Sequence, residues 1–153
     1  MSLYDIIDAD RRATFATNTG TWVHRDMGKI VLGTPSGDVG NPEYIAHIRH
    51  DHRLIPLFDT IARTEVPIAG RINGRFISRR IDRLRVFDDV RRVVFIDYKT
   101  DTDPEIMRHH YRTQLGEYAT LLHEIYPDYT IDGYILWMHD WTLDHIVAMN
   151  EKP

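Results

Sequence analysis

The sequence contains no cysteine, and none of its apolar runs is long enough to form a membrane-spanning helix. Without cysteine the chain cannot form disulfides, Cys-ligated zinc sites, iron–sulfur clusters or a thiol nucleophile. A helix needs roughly 20 consecutive apolar residues to cross a bilayer, so no membrane segment is predicted. Residues 1–8 also lack the basic start and long apolar stretch of a secretory signal. These absences predict a cytoplasmic protein without an iron–sulfur cluster.

The composition suits one globular domain, but its charge is unevenly distributed. The 153 residues are 42% hydrophobic and carry a formal net charge of −4, which on average argues against nucleic-acid binding. Residues 71–92, however, contain eight arginines and three aspartates, a local net charge of +5. Arginine forks match phosphate oxygens, so this segment is a candidate nucleic-acid surface. The alternative is a solvated strand face whose arginine stems cover apolar neighbours.

Hydrophobic periodicity predicts one α/β domain over residues 1–153, with a mixed sheet flanked by helices. A helix capped at Asn18 or Thr19 is predicted to continue to Val31, followed by a glycine-rich loop and a second helix opened by Asn41 and the proline after it. The predicted parts are a mainly helical region at 1–62, antiparallel strands at 63–99, a helix at 103–126 opened by Asp103, and closing strands at 129–147.

The strand region is predicted in four short pieces separated by Gly or Asp turns. They cover residues 64–68, 74–78, 81–87 and 92–97. The last piece has apolar residues on both faces at 93–96, which is typical of a central buried strand.

Asp82, Asp97 and Lys99 form the most informative pattern. Residues i and i+2 of a strand share a face, so Asp97 and Lys99 are predicted to project side by side, about 6.6 Å apart along the backbone. A hairpin would bring the carboxylate of Asp82 next to that of Asp97. Two carboxylates repel each other unless a positive charge lies between them, and Mg²⁺ often has this role. A nearby lysine can then orient or deprotonate an attacking water.

The same Asp-x-Lys triplet also fits an ordinary surface ion pair on a strand. The position of Asp97 favours a metal site, because this residue ends an apolar strand where a charge is costly without a partner. The residues alone leave both interpretations open.

Five motifs give the sequence a resemblance to a known family. They are Gly20-Thr-Trp-Val-His24, Arg63-Thr-Glu65-Val-Pro-Ile, Ile81-Asp82-Arg-Leu, Val94-Phe-Ile-Asp97-Tyr-Lys99-Thr and Gln114-Leu-Gly-Glu-Tyr118. Because the five motifs occur in this order, the chain resembles the RecB/AddA branch of the PD-(D/E)XK nuclease superfamily. The resemblance is strongest to the C-terminal nuclease domain of bacterial AddA helicase–nucleases. The resemblance extends over residues 20–146.

The resemblance implies a restriction-endonuclease-like fold and a DNA nuclease that depends on Mg²⁺, with Mn²⁺ as a substitute. It implies that His24, Asp82 and Asp97 hold the metal ion, with the Tyr98 carbonyl as a further ligand.

The resemblance also implies roles for the neighbouring polar residues. Lys99 would be the catalytic lysine, and Gln114 and Tyr118 would support the site and contact DNA. These last two are i and i+4 on one helical face, although Tyr118 also fits a core aromatic. Glu65 matches the family pattern in a supporting position without a clear role.

The biological setting implied by the resemblance is the processing of double-strand DNA ends for recombinational repair, in an exonuclease-type reaction. No Gly-x-x-x-x-Gly-Lys-Ser/Thr motif occurs, so a helicase portion or partner subunit is expected outside this chain.

One departure from the family pattern leaves alternatives open. The family usually has a glycine where this chain has Arg79 and Arg80. Together with Arg83 and Gln114, these arginines are predicted to bind DNA. Crowding by the arginines would instead favour an inactive DNA-binding or docking module, and a stand-alone phage or mobile-element exonuclease is a further possibility.

A zinc site is a separate alternative that the histidines suggest. Its candidate ligands are His47, His50, His52, His109 and His110. The spacing of the first two suits a helix, but a site made of histidines alone is uncommon.

Overall fold

The N-terminal part of the protein combines short helices with a β-hairpin. The computed structural model describes residues 20–150. This part comprises helix α1 at 20–28, strands β1 (Val31–Thr34) and β2 (Gly37–Val39), helix α2 (Pro42–Arg49) and a 3₁₀ helix (Ile55–Leu57). The predicted start of α2 is confirmed, because the Asn41 side chain accepts hydrogen bonds from the backbone amides of Glu43 and Tyr44.

The predicted extent of α1 is wrong at its C-terminal end. The helix ends at residue 28, and Val31 instead begins β1. The predicted glycine-rich loop is a hairpin, in which Gly33 and Gly37 adopt the positive φ angles that reverse the chain. The predicted cap at Asn18 or Thr19 lies outside the described residues.

A mixed sheet forms the centre of the protein, as predicted, and it has five strands. Its strands, in spatial order, are β3 (Arg63–Ile72), β4 (Arg75–Phe87), β5 (Arg92–Lys99), β6 (Thr130–Trp137) and β7 (Thr142–Met149). Only β5 and β6 pair in parallel, and the other three ladders are antiparallel. A parallel pair needs a crossover connection, which helix α3 (Pro104–Ile125) provides.

Two sequence predictions for these elements need correction. The predicted strands at 74–78 and 81–87 are one continuous strand, because residues 79 and 80 pair with β3 without interruption. Asp103 precedes α3 as predicted, but its side chain makes no capping hydrogen bond.

Two hydrophobic layers cover the two faces of the sheet. Val93 and Phe95 of β5 pack on the side of α3, with Leu115 and Tyr118. Val94 and Ile96 pack on the opposite side, against α1, α2 and the 3₁₀ helix. The two-sided apolar pattern of β5 therefore predicted its central position correctly. No helix within residues 20–150 is both long and apolar enough to cross a membrane.

Gly133 in β6 allows close packing of the Phe95 ring. A Cβ atom at this position would lie 2.4 Å from the nearest ring atom of Phe95. Overpacking of this kind destabilises a core by about 1–3 kcal/mol, so we expect Gly133→Ala to lower the free energy of unfolding by that amount. Gly116→Ala is the matched control, because a Cβ there meets no atom within 4 Å. Urea denaturation should show the control variant unchanged or stabilised, and an equally stable Gly133→Ala would contradict the prediction.

Candidate active site

The β4–β5 hairpin places Asp82 opposite Asp97, as predicted. Arg83 pairs with Ile96 in this ladder, so the next position along each strand brings the two aspartates together. Both residues are buried, with 8% and 5% of their surface exposed. Burial and the nearby Asp82 carboxylate raise the pKa of Asp97. The two carboxylates therefore share a poorly solvated space in which a second negative charge is costly.

Helix α1 adds His24 to this pair. Its Nε2 atom lies 3.2 Å from Oδ2 of Asp82, and its Nδ1 atom lies 2.8 Å from the carbonyl oxygen of Gly20. The hydrogen bond with Asp82 raises the pKa of His24 to about 9, so the imidazole is positively charged at neutral pH. The backbone amide of Tyr98 donates a 2.8 Å hydrogen bond to the same Asp82 oxygen.

Lys99 lies at the centre of a second group of contacts. Its Nζ atom is 2.7 Å from Oδ2 of Asp97 and donates a 3.2 Å hydrogen bond to Oε1 of Gln114. Nε2 of Gln114 in turn donates to the hydroxyl of Tyr118 at 3.0 Å. Tyr118 is buried, so its hydroxyl supports Gln114 from the core, and a direct contact of this side chain with DNA is incompatible with its position.

Tyr111 is a site residue that the sequence analysis did not identify. The centroid of its ring lies 4.2 Å from Nζ of Lys99, within the range of a cation–π contact. Its hydroxyl donates to Asp101 at 2.5 Å, which anchors the ring. Tyr111 and Gln114 are i and i+3 on α3 and therefore share a helical face. That spacing is the feature that would have identified Tyr111.

The residues predicted to form one metal shell are arranged as two ion pairs. His24 pairs with Asp82, and Lys99 pairs with Asp97. Within residues 20–150, no group of three or more His, Asp or Glu side chains is arranged to hold a metal ion. The three predicted side-chain ligands thus lie at one site without forming a common coordination shell.

The chemistry of these donors nevertheless suits Mg²⁺. Two carboxylates are the ligands that this hard cation prefers. Oδ2 of Asp97 is buried and accepts no hydrogen bond of regular geometry, although Nζ of Lys99 approaches it as an ion-pair partner. A buried carboxylate oxygen without such a bond has coordination capacity that a cation can use.

The prediction that Arg83 contacts DNA is incompatible with its position. Arg83 is only 1% exposed, and its guanidinium lies 4.0 Å from the centroid of the Phe58 ring. It donates hydrogen bonds to the Tyr98 hydroxyl and to the carbonyl oxygens of Met27, Ile30 and Leu57. Arg83 therefore connects β4 to the end of α1 and to the 3₁₀ helix, and its role is structural.

Arg79 and Arg80 point to different partners. Arg79 is half-buried beside α3, with one guanidinium nitrogen 3.5 Å from Oε2 of Glu117. Arg80 is exposed, and its guanidinium lies 3.6 Å from Glu65. Neither side chain pairs with the two aspartates in the described part of the chain.

The backbone of Glu65 is strained next to the aspartate pair. Its φ angle is 53°, which is uncommon for a residue other than glycine. Glu65 lies between the ladder pairs Thr64–Arg83 and Val66–Ile81, so it is directly across from Asp82. Such strain is often found at functional sites, which is consistent with the supporting position implied by the resemblance.

The zinc alternative gains no support from the histidine positions. His47 stacks on Trp141, with ring centroids 4.6 Å apart. Within residues 20–150 these histidines likewise form no group of three or more side chains that could hold a metal ion.

Comparison of the chain with protein-family models and with curated proteins finds no match. The geometry of the site brings two carboxylates, an imidazole and an ammonium group together at one end of β5.

Proposed function

We propose that this chain is a metal-dependent deoxyribonuclease that hydrolyses phosphodiester bonds with little sequence preference. One observation carries the proposal. Four side chains converge at one site, although 75 positions separate the first from the last. They are His24 of α1, Asp82 of β4, and Asp97 and Lys99 of β5. Burying two carboxylates together costs stability, and such a cost is typical of a site retained for its chemistry.

We further propose that the fold is restriction-endonuclease-like and that the chain belongs to the RecB/AddA branch of the PD-(D/E)XK superfamily. The mixed five-stranded sheet is compatible with that fold. The motif residues implied by the resemblance also lie on neighbouring elements, with Gln114 of α3 in contact with Lys99.

In this proposal Asp82, Asp97, His24 and the carbonyl of Tyr98 would hold Mg²⁺. The ion would supply Lewis-acid polarisation of a phosphate oxygen. Lys99 orients the attacking water or donates to a phosphate oxygen, and its contacts with Gln114 and the Tyr111 ring hold its ammonium group in position. The two ion pairs already balance the buried negative charges, so metal binding requires His24 to release its proton.

The same resemblance supports a role in processing double-strand DNA ends, with unwinding supplied by a helicase portion or partner outside this chain. That role requires little base recognition, because an enzyme that processes DNA ends must act on any sequence. Contacts to phosphates rather than to base edges would serve this purpose.

One observation favours a second candidate, an inactive DNA-binding module. The absence of a common three-residue metal shell in residues 20–150 would be expected if the fold were kept and the chemistry lost. DNA binding would then persist without hydrolysis.

A cleavage assay separates the two candidates. Single-stranded DNA incubated with the protein is expected to be degraded in Mg²⁺ or Mn²⁺ and to remain intact in EDTA. Asp97→Asn is the control variant, because it preserves side-chain shape and removes one charged ligand, so it should be inactive with either metal. DNA binding without cleavage by the unaltered protein, in every metal tested, would reject the nuclease and favour the module.

A further inference from the structure

A cavity of about 240 Å³ lies on the face of the sheet opposite to α3, and the proposed function does not use it. Its apolar lining comes from three strands of the sheet and from the 3₁₀ helix. These residues are Pro56, Leu57, Phe87, Val94 and Leu143. An apolar cavity of about 150 Å³ holds a benzene molecule, so this cavity has room for the body of a two-ring molecule.

The cavity is separate from the candidate active site. Val94 belongs to the hydrophobic layer opposite α3, whereas Asp97 shares its side of β5 with Phe95, which packs against α3. Arg92, which also lines the cavity, is five residues before Asp97 on β5, or about 17 Å along the strand. A small ligand in the cavity therefore does not touch the aspartate pair.

Two arginines supply positive charge at the rim of the cavity. Arg53 is exposed and Arg92 is half-buried, and both belong to the lining. The hydroxyl of Tyr134, another lining residue, lies close enough to both guanidinium groups to interact with their charges. The two cationic groups and this hydroxyl therefore meet at the same part of the rim.

The aspartates that pair with these arginines hold them in place from outside the cavity. Oδ2 of the buried Asp132 accepts a 2.7 Å hydrogen bond from Nε of Arg92, and its Oδ1 lies 2.9 Å from Nε2 of His145. Asp51 accepts hydrogen bonds from Nε and Nη2 of Arg53 at 3.0 and 2.7 Å. No carboxylate is among the described residues that line the cavity, so a ligand meets the remaining guanidinium donors.

We propose that this cavity binds a small aromatic anion, with its flat apolar body in the cavity and its oxyanion at Arg53 and Arg92. Guanidinium donors match the oxygens of a carboxylate or a phosphate monoester, and the rings of Phe87 and Tyr134 favour a flat partner. An apolar pocket with a few convergent polar groups is the usual form of a small-ligand site. Binding of such an anion is independent of the nuclease chemistry, because the cavity and the aspartate pair share no residue.

Titration of the isotope-labelled protein with 2-naphthoate and with 1-naphthyl phosphate in EDTA, followed by two-dimensional amide NMR spectra, tests this site. A Kd of about 0.1–1 mM is expected for a ligand of this size. The amide signals of Val94, Tyr134 and Leu143 should shift, whereas those of Asp97 and Lys99 should not. The tighter of the two ligands identifies the preferred oxyanion. The uncharged 2-naphthalenemethanol has the same body and should bind about tenfold more weakly, because it cannot pair with the guanidinium groups.

Two arginine variants test the assignment of the oxyanion site. Arg92→Gln is expected to weaken binding of the tighter ligand about tenfold, as loss of a charge-assisted hydrogen bond does, and Arg53→Gln about threefold, because that side chain is exposed. Arg49→Gln is the matched control, because Arg49 is also exposed and pairs with Asp38 through the same two nitrogens, and its affinity should be unchanged. Arg53→Gln decides the test if loss of the Arg92–Asp132 pair unfolds the protein, which the amide spectrum shows directly.

Three results would each overturn the proposal. They are signal shifts confined to residues away from the cavity, equal affinity for the uncharged alcohol, and an Arg53→Gln variant that binds as tightly as Arg49→Gln.

Discussion

Replacing Lys99 with methionine is expected to lower the rate of DNA cleavage by about 10²–10⁴-fold, the range typical of losing a positioned acid–base group. Methionine preserves most of the length and apolar volume of the side chain but removes its charge and its donors. The contact with Asp97 and the hydrogen bond to Gln114 are lost together. Initial rates on single-stranded DNA in saturating Mg²⁺ measure the effect.

Two further variants make this result interpretable. Lys29→Met applies the same change to an exposed lysine after α1, and its activity should equal that of the unaltered protein. Lys99→Met leaves the buried Asp97 without its cationic partner, so the double variant with Asp97→Asn restores the local charge balance. Circular dichroism should show that the double variant keeps a native fold. The cleavage assay should show that it is inactive. Wild-type cleavage by Lys99→Met would reject the proposed catalytic role.

Replacing Arg83 with leucine is expected to lower the free energy of unfolding by about 3–5 kcal/mol, because several buried acceptors lose their donor and each unsatisfied group costs about 1–3 kcal/mol. The change leaves the Tyr98 hydroxyl and three backbone carbonyl oxygens without their donor. Leucine also cannot replace the cation–π contact with Phe58. Guanidinium denaturation followed by tryptophan fluorescence measures the loss.

Arg80→Leu provides the control for this stability prediction. Its side chain is exposed, with a single long contact to Glu65, and surface ion pairs of this kind contribute about 0–1 kcal/mol. Unfolding of the two variants at the same denaturant concentration would show that Arg83 does not have the structural role assigned to it. Partial recovery of stability in Arg83→Lys would indicate that the charge itself contributes.

The strands around the aspartate pair could be predicted because they depend on local pattern. The two-sided apolar run of β5 identifies a central strand, and the short turn before it requires a hairpin with β4. Once that hairpin is fixed, Asp82 and Asp97 must be neighbours. The i, i+4 spacing likewise placed Gln114 and Tyr118 on one face of α3, where the 3.0 Å hydrogen bond joins them.

The parts that the sequence analysis missed depend on distant contacts. Arg83 resembles the other arginines of residues 71–92 in the sequence, and its burial follows from carbonyl acceptors 53 and 56 positions away. The separation into His24–Asp82 and Asp97–Lys99 pairs depends on which of several nearby groups each side chain meets. The β1–β2 hairpin was missed because its strands are too short to establish a period.

The position of Arg83 has a consequence for mutational screens. Arg83 follows Asp82 directly in the chain, and its hydrogen bonds to Met27 and Ile30 hold the end of the helix that carries His24. A library scored by DNA cleavage alone would rank position 83 with the residues proposed to act in catalysis, although its side chain is buried away from the surface. Scoring protein abundance in the same library would separate the two classes, because Arg83 variants should disappear from the soluble fraction while Lys99 variants accumulate.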